Sequence, residues 1–484
     1  MSKVKVRFAP SPTGELHIGG ARTALFNYLF AKANDGIMVL RIDDTDLERS
    51  REEYTGKLIE SMHWLGLEWD EGPFFQSKRM DIYTSEANRL LSDNKAYYCY
   101  CSVDELSSGR EEARNESRPY LYPGNCRKLS AEEIETFKKD GRKPVVRLMI
   151  PDSGATVVND LIRGEVSFNN SDLDDFIILK SNGLPTYNFA SIVDDCKMEI
   201  SHIIRAEEHL TNTPRQLLCA KALEYKLPVF AHVPMILAPD RSKLSKRHGA
   251  TSVEEFRSEG FLPDALVNYL ALLGWSPGED REFLNLEEMI ELFSLEKVIK
   301  TAAIYDTNKL AWMNGHYIRE YSIENLIEAV YPFLKSNYSS EMDEKVLDKE
   351  YVKAVINSVR ERAKTLKELS DAADFFFRDD FAYDDKGVKK NFKKEGTANL
   401  LKALNDELIG LDNFTSTNTE ALFNGLCESK NISLGRLMGP ARLALTGKTG
   451  GPAIFDIIEI LGKEKTIERL EKAVHYIENE LESL

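Results

Sequence analysis

The sequence predicts a multidomain α/β protein: a doubly wound parallel sheet near the start, an inserted α/β domain, and an all-α C-terminal half. Three observations carry this. A β-loop-α-β pattern fills the first 42 residues, short β-rich pieces punctuated by Gly, Pro and Asn occupy about 96–183, and helical spacing dominates beyond Phe261. A chain of 484 residues also has length for about three domains with sizeable cores.

Taken in order, Val4, Val6 and Phe8 alternate as a strand, residues 10–14 form a Pro/Ser/Gly turn, and Ala21, Ala24, Leu25, Tyr28 and Leu29 recur at helical spacing. Gly36 stops that helix. Residues 37–42 give a second strand and complete the unit of a Rossmann-like sheet, in which ligands sit beyond the strand C-termini. Ser50 with Glu53 has the form of a capping box opening a helix toward Leu65. Within the insertion, 145–150, 164–168 and 176–180 read as strands. Strand and helix alternation returns over 184–238, with strands at 200–204 and about 229–237, so the first domain is discontinuous: 1–95 with 184–238. Beyond it, Val352, Val355, Ile356, Val359, Ala363 and Leu366 keep helical spacing, and no large sheet is expected. The helical half divides at 239–322, 323–392 and 393–484.

Composition narrows the class. With 42% hydrophobic and 29% charged residues and no apolar run of 18, membrane-spanning and wholly disordered readings fall away. Residues 1–10 lack a signal-peptide hydrophobic region, and six cysteines are too few for a disulfide framework, so a cytoplasmic protein is expected. The net charge of −16, from 63 Lys plus Arg against 79 Asp plus Glu, opposes polyanion binding over the whole surface. Any nucleic-acid partner must be held by local basic patches.

Two motifs carry chemistry. The turn containing His17, Ile18, Gly19 and Gly20 joins the first strand to its helix, where backbone N–H groups and the helix dipole favour anions. Without side chains at Gly19 and Gly20, a nucleotide can lie against the backbone while His17 donates to a phosphate or ribose oxygen. Lys243, Leu244, Ser245, Lys246 and Arg247 follow Pro239 and Asp240 in a polar loop able to clamp a triphosphate. Read alone, the first is also a Pro/Gly turn with a capping histidine, and the second a solvated basic loop.

Together, the two motifs resemble the signature pair of class I aminoacyl-tRNA synthetases. Arg7-Phe8-Ala9-Pro10-Ser11-Pro12-Thr13-Gly14, Arg41-Ile42-Asp43-Asp44-Thr45-Asp46, Ile204-Arg205-Ala206-Glu207-Glu208 and Trp312-Met313-Asn314-Gly315 narrow the resemblance to bacterial glutamyl-tRNA synthetases, across essentially the whole chain. The resemblance implies ATP-dependent activation of glutamate to glutamyl-adenylate, then transfer to the 3′-terminal ribose of tRNA(Glu), with Mg²⁺ accompanying the ATP. It also implies that activation depends on tRNA. His17, Gly19 and Gly20 would carry the nucleotide, the backbone around Ile236 would frame the adenine, and Glu208 would lie near the ribose. Lys243, Ser245 and Lys246 would face the phosphates.

Glutamate offers two carboxylates and one ammonium, so its pocket needs two cationic donors and one acid. Arg7 and Arg205 meet the first need, each at the C-terminal end of a predicted strand, and Tyr187 adds a hydroxyl. Away from the motif, each arginine reads as a surface ion pair. Asp43 answers the ammonium, although the family usually carries glutamate there and the glutaminyl enzymes aspartate. Ala9, Ser11 and Ser191 complete the substrate set.

Cys99, Cys101 and Cys126 fit part of a zinc pattern of some glutamyl enzymes, which a histidine two residues after the third cysteine completes. Here Lys128 holds that place, and a protonated lysine cannot ligate, so no bound metal is expected; Tyr122 or a water is the remaining candidate for a fourth ligand. By the same resemblance, 96–183 grips the acceptor end, 239–322 contacts the stem, and 323–392 with 393–484 read the anticodon. Lys386, Lys389, Lys390, Lys393 and Lys394 interrupted by Phe392, and Arg360, Arg362, Lys364 and Lys367 on one helical segment, offer phosphate contacts and base stacking. Residue-level anticodon readers, and whether tRNA(Gln) is a second acceptor, stay open. A monomer is the expected state. The alternatives are a glutaminyl-tRNA synthetase-like ligase or a non-catalytic tRNA-binding paralogue, whose expected mark, a damaged motif, is missing here.

Overall fold

The computed structural model describes residues 3–46, 49–338 and 349–481. The chain divides into two compact units, Met1–Phe256 with Leu266–Thr307, and Arg257–Ala265 with Asn308–Leu484. In the first unit, strand β1 (Lys5–Phe8), helix α1 (Ile18–Ala33) and strand β2 (Ile37–Ile42) form the expected β-loop-α-β unit. β1 and β2 are parallel, in register from Lys5↔Ile37 to Phe8↔Leu40. Alternation of Val6 and Phe8 suggests one dry face, yet Arg7 is buried as well, because this sheet is covered on both sides. A Cβ at Gly36 would lie 2.7 Å from the Val4 carbonyl oxygen, so the turn into β2 requires glycine.

Helix α2 (Glu52–Trp64) has Arg51 at its N-cap and no side-chain cap, which corrects the capping box expected from Ser50 and Glu53. Ser50 lies one residue too early; its N–H donates to the Asp46 carbonyl at 2.9 Å. β3 (Glu71–Phe75) pairs parallel with β2, and helix α3 (Met80–Ser92) follows.

The inserted stretch holds β4 (Ala96–Cys99), helices α4 (Val103–Asn115) and α5 (Ala131–Lys139), and β5 (Val145–Leu148), β6 (Ala155–Asp160), β7 (Gly164–Asn169) and β8 (Ile177–Leu179). Ser102 with Glu105 and Ser130 with Glu133 close true capping boxes on α4 and α5. β4, β5 and β8 make an antiparallel sheet. The β6–β7 hairpin goes elsewhere. Asp160 of β6 pairs with Phe230 on the main sheet, so part of the insertion extends the sheet it interrupts.

After helix α6 (Tyr187–Lys197), β9 (His202–Ala206), helix α7 (Thr213–Ala222) and β10 (Val229–Val233) complete the parallel layer. The Ser201 N–H donates to the Lys5 carbonyl at 2.8 Å, so β9 adjoins β1. The strands therefore run β3, β2, β1, β9, β10. Chain progression reverses between β1 and β9, the switch point where open α/β sheets bind ligands. The core beneath includes Val39, Phe189, Ile192, Ile203 and Phe230. Short strands β11 (Ile236–Leu237) and β12 (Ala303–Ile304) pair parallel.

The second unit is helical, with Ile323–Tyr338, Lys349–Val359, Thr397–Ile409, Ser416–Lys430, Leu434–Thr446 and Ile454–His475 packing around Val330, Ile356, Leu404, Phe423, Leu443 and Ile457. Two expectations change here. Arg360, Arg362, Lys364 and Lys367 do not share one helix: a 3-10 turn at Arg360–Arg362 separates Lys349–Val359 from Leu366–Ala372, and the Arg360 guanidinium donates to the Ile318 (2.9 Å) and Tyr321 (2.7 Å) carbonyls. Phe392 is buried, with its ring edge-on to Tyr383, and offers no stacking surface, because the turn around it points its lysines outward and the aromatic inward. No described helix is long and apolar enough to cross a membrane.

Candidate active site

Beyond the C-terminal ends of β1 and β9 lies a cavity of about 570 Å³. Arg7, Ala9, Ser11, His17, Gly19, Gly20, Asp43, Tyr187, Ser191, Arg205, Glu208, Ile236 and Lys243 all line it. Ser245 stands off the lining; its hydroxyl lies 3.2 Å from His248 Nδ1. The side chain of Lys246 lies outside the described residues.

The glycine turn meets the segment just after the lysine motif through the backbone. The Ile18 N–H donates to the Thr251 carbonyl at 3.0 Å and the Val253 N–H to the Leu16 carbonyl at 2.9 Å, so the segment just after the lysine motif is stitched to the glycine turn. Lys243 pairs across β11 with Leu237, and its Nζ is 3.4 Å from Glu208 Oε2.

His17 is the N-cap of α1, and its Nδ1 accepts the Gly19 N–H at 3.1 Å. Burial, reinforced by Lys243, holds its pKa below the ordinary histidine value, so the ring is neutral near pH 7. With Nδ1 accepting, the proton sits on Nε2, and that N–H is the donor available to a phosphate. The Met235 and Leu237 carbonyls accept from Ala303 (3.0 Å) and Tyr305 (2.8 Å), so strand alternation turns the Ile236 N–H and C=O to the opposite edge.

The other end of the cavity is a buried charge network. Arg7 Nε donates to Asp195 Oδ1 at 3.1 Å, and Arg41 NH1 donates to the same oxygen at 2.6 Å. Arg41 also grips Asp43 with two bonds, of 2.7 and 3.2 Å, and reaches Ser191 Oγ at 3.5 Å. Asp194, beneath, accepts from Arg79 (2.8 Å), Tyr83 (2.7 Å) and Gln76 (3.0 Å). Burial pushes the Asp43 carboxyl up to about 6, against the pull of Arg41. The Ser11 hydroxyl donates to the Asp43 carbonyl at 3.0 Å and fixes the turn after β1 against the end of β2.

Arg205 Nε donates to His232 Nε2 at 3.1 Å and NH2 to Thr213 Oγ1 at 2.9 Å, while NH1 has no hydrogen-bond partner among the described residues. Burial draws its pKa down to about 10, so it is charged at neutral pH. The Tyr187 hydroxyl sits 3.1 Å from His209 Nδ1. Both arginines read from the strand ends are thus 4% exposed and not surface ion pairs. Sequence reasoning gave no role to Arg41, Asp195 and His232, although Arg41 shares a motif with Asp43 and Asp195 closes the Val193-Asp194-Asp195 segment that also resembles the family.

Away from this cavity, the sulfurs of Cys99, Cys101 and Cys126 lie within 4.8 Å of one another, and the Tyr122 hydroxyl is 3.3 Å from Cys99 Sγ and 3.5 Å from Cys101 Sγ. The zinc pattern has a histidine where this chain has Lys128, and the group found beside the three thiols is the Tyr122 phenol.

The family model described as "tRNA synthetases class I (E and Q), catalytic domain" matches residues 3–312, and "Anticodon binding domain" matches residues 325–474. The chain is 53% identical to glutamate–tRNA ligase 1 of Caldanaerobacter subterraneus subsp. tengcongensis, over 99% of both chains. It is 54% identical to the glutamate–tRNA ligase of Moorella thermoacetica, over 99% of this chain and 100% of the relative. A solved glutamate tRNA ligase from Elizabethkingia meningosepticum, crystallised in complex with its amino acid, superposes with a TM-score of 0.90 at 34% identity, over 99% of this chain and 100% of that one.

Proposed function

The chain belongs to the class I tRNA synthetases of the glutamate and glutamine type, and from that premise we propose how its cavity performs the reaction of a glutamate–tRNA ligase. The glutamate α-carboxylate attacks the α-phosphorus of ATP, forming the new P–O bond as the bond to the bridging oxygen breaks and pyrophosphate leaves. A terminal ribose hydroxyl of tRNA(Glu) then attacks the acyl carbon, and AMP leaves. No protein nucleophile is needed, so the work is positioning and charge stabilisation.

Arg7 and Arg205 hold the two carboxylates, Tyr187 adds its hydroxyl, and Asp43 takes the ammonium with the lone pairs that Arg41 leaves free. Ala9, Ser11 and Ser191 shape that end of the pocket. Gly19 and Gly20 let the nucleotide approach the backbone, His17 donates from Nε2 to a phosphate oxygen, the Ile236 backbone frames the adenine, and Glu208 meets the ribose. Lys243, Ser245 and Lys246 close over the phosphates. Among the described residues the grouping of potential metal ligands is the three cysteines, so Mg²⁺ would travel with the triphosphate, where it offsets charge. No step passes through the thiol cluster.

We read 96–183 as the acceptor-end grip, 239–322 as the stem contact, and 323–392 with 393–484 as the anticodon readers. The exposed Lys386, Lys389, Lys390, Lys393 and Lys394 suit phosphate contacts. The expected state is a cytoplasmic monomer, with tRNA(Gln) as a second acceptor to be measured.

The observation that carries this reading is the backbone stitching of the glycine turn to the segment after the lysine motif, over one cavity with a phosphate end and a buried arginine end. The test is ATP–pyrophosphate exchange and aminoacylation with glutamate and with glutamine, each with and without tRNA. Glutamate-driven, tRNA-dependent exchange is expected. Silence with both amino acids would overturn the reading.

A further inference from the structure

Arg205 is held by a line of buried polar groups that starts in the inserted hairpin. Asp160 ends β6, and its Oδ1 accepts the N–H groups of Ile162 (3.0 Å) and Arg163 (2.8 Å). Its Oδ2 accepts the His232 backbone N–H at 3.0 Å and lies 2.6 Å from His232 Nδ1. His232, on β10, is completely buried. An ionised carboxylate can only accept, so the proton between them belongs to Nδ1. Burial keeps the ring's pKa below the ordinary value, and the neutral imidazole turns the lone pair of Nε2 toward Arg205 Nε, 3.1 Å away.

This differs from how the neighbouring arginines are held. Arg7 and Arg41 donate to the carboxylates Asp195 and Asp43, which offset their charge. Arg205 is fixed at Nε by an imidazole and at NH2 by the Thr213 hydroxyl and, at 3.5 Å, the His209 carbonyl, all neutral, and NH1 alone has no hydrogen-bond partner among the described residues. A neutral acceptor fixes direction without cancelling charge, so the guanidinium keeps its attraction for an anion entering the cavity that it lines.

We propose that His232, set in one tautomer by Asp160, is a positioning residue that aims Arg205 NH1 at the side-chain carboxylate of the substrate and so favours glutamate over its amide. This rests on the reading that Arg205 binds a carboxylate of the amino acid, and it commits that carboxylate to the one glutamine lacks. Asp160→Asn is the sharpest variant. Its amide oxygen can keep the backbone donors while its NH₂ faces Nδ1, driving the ring proton to Nε2 and setting donor against donor at Arg205.

The experiment measures KM for glutamate and for ATP separately in the full-length protein with tRNA, together with the glutamate-to-glutamine ratio of kcat/KM. Asp160→Asn and His232→Phe should raise the glutamate KM roughly tenfold or more, the scale of a lost hydrogen bond to a charged group, and leave the ATP KM within about twofold. The glutamate preference should fall with them, and His232→Gln, which returns an acceptor near the Nε2 position, should recover most of both. A glutamate KM unmoved in both variants, or moving together with that of ATP, overturns the proposal. Arg205→Gln separates the two layers: if it leaves glutamate KM unchanged, the carboxylate reading itself is wrong, whereas a rise there without one in Asp160→Asn removes only the role of His232. Should the buried variants not fold, histidine ¹⁵N shifts in the wild-type protein decide, since a proton found on His232 Nε2 contradicts the arrangement.

Discussion

The two ends of the cavity are built differently. At the arginine end, Arg7, Arg41, Asp43 and Arg205 are at most 4% exposed, and each has fixed partners. At the end lined by His17 and Lys243, the Lys243 side chain is 75% exposed and pairs, among the described residues, with Glu208, itself 50% exposed, across 3.4 Å. Burial makes geometry rigid and charge interactions strong, and it is suited to telling glutamate from its relatives before any chemistry. An exposed loop is weakly held, and it is suited to gathering around a triphosphate whose charge shifts during the reaction.

The largest effect should come from breaking the buried end. Asp195→Ala leaves Arg7 and Arg41 without their shared carboxylate, and unfolding in denaturant should show a loss of about 3–5 kcal/mol. The exposed end predicts the opposite pattern. Lys243→Ala should slow exchange by about 10²–10³, with the denaturation midpoint unmoved and glutamate KM within about twofold. Lys246→Ala should behave in the same way, and an unchanged turnover would refute the clamp.

Acidity sharpens the contrast further. Asp43 must be ionised to hold an ammonium, and with its pKa raised to about 6 it is charged above that value and neutral below. Glutamate KM should therefore rise roughly tenfold between pH 7 and pH 5, and the rise should flatten in Asp43→Asn. A profile as steep in the variant as in the parent would remove Asp43 from the role. The smallest effect belongs to Tyr187→Phe, which loses one half-exposed hydroxyl and should raise glutamate KM by about two- to tenfold.

The pattern of what the sequence disclosed follows the same division. The β-loop-α-β unit, the glycine turn and the lysine motif were readable because each is local: hydrophobic spacing, turn residues and charge lie within a few positions. Asp195, His232 and Asp160 carry no such signal. Their roles come from elements brought together across 188 residues, β1 with α6, for Arg7 and Asp195, and across 72, β6 with β10, for Asp160 and His232. Ser50 and Phe392 show the converse failure, where a plausible local pattern lost to a one-residue shift in helix start and to the demands of the core.

The most direct test is a crystal structure with a non-hydrolysable glutamyl-adenylate analogue, compared with the free protein. Arg7, Arg41, Asp43 and Arg205 should stay within about 1 Å of their present positions, while the segment from Lys243 to Ser245 moves and Lys243 and His17 approach the same phosphate. A rearranged arginine end, or a phosphate that His17 and Lys243 do not share, would contradict the account.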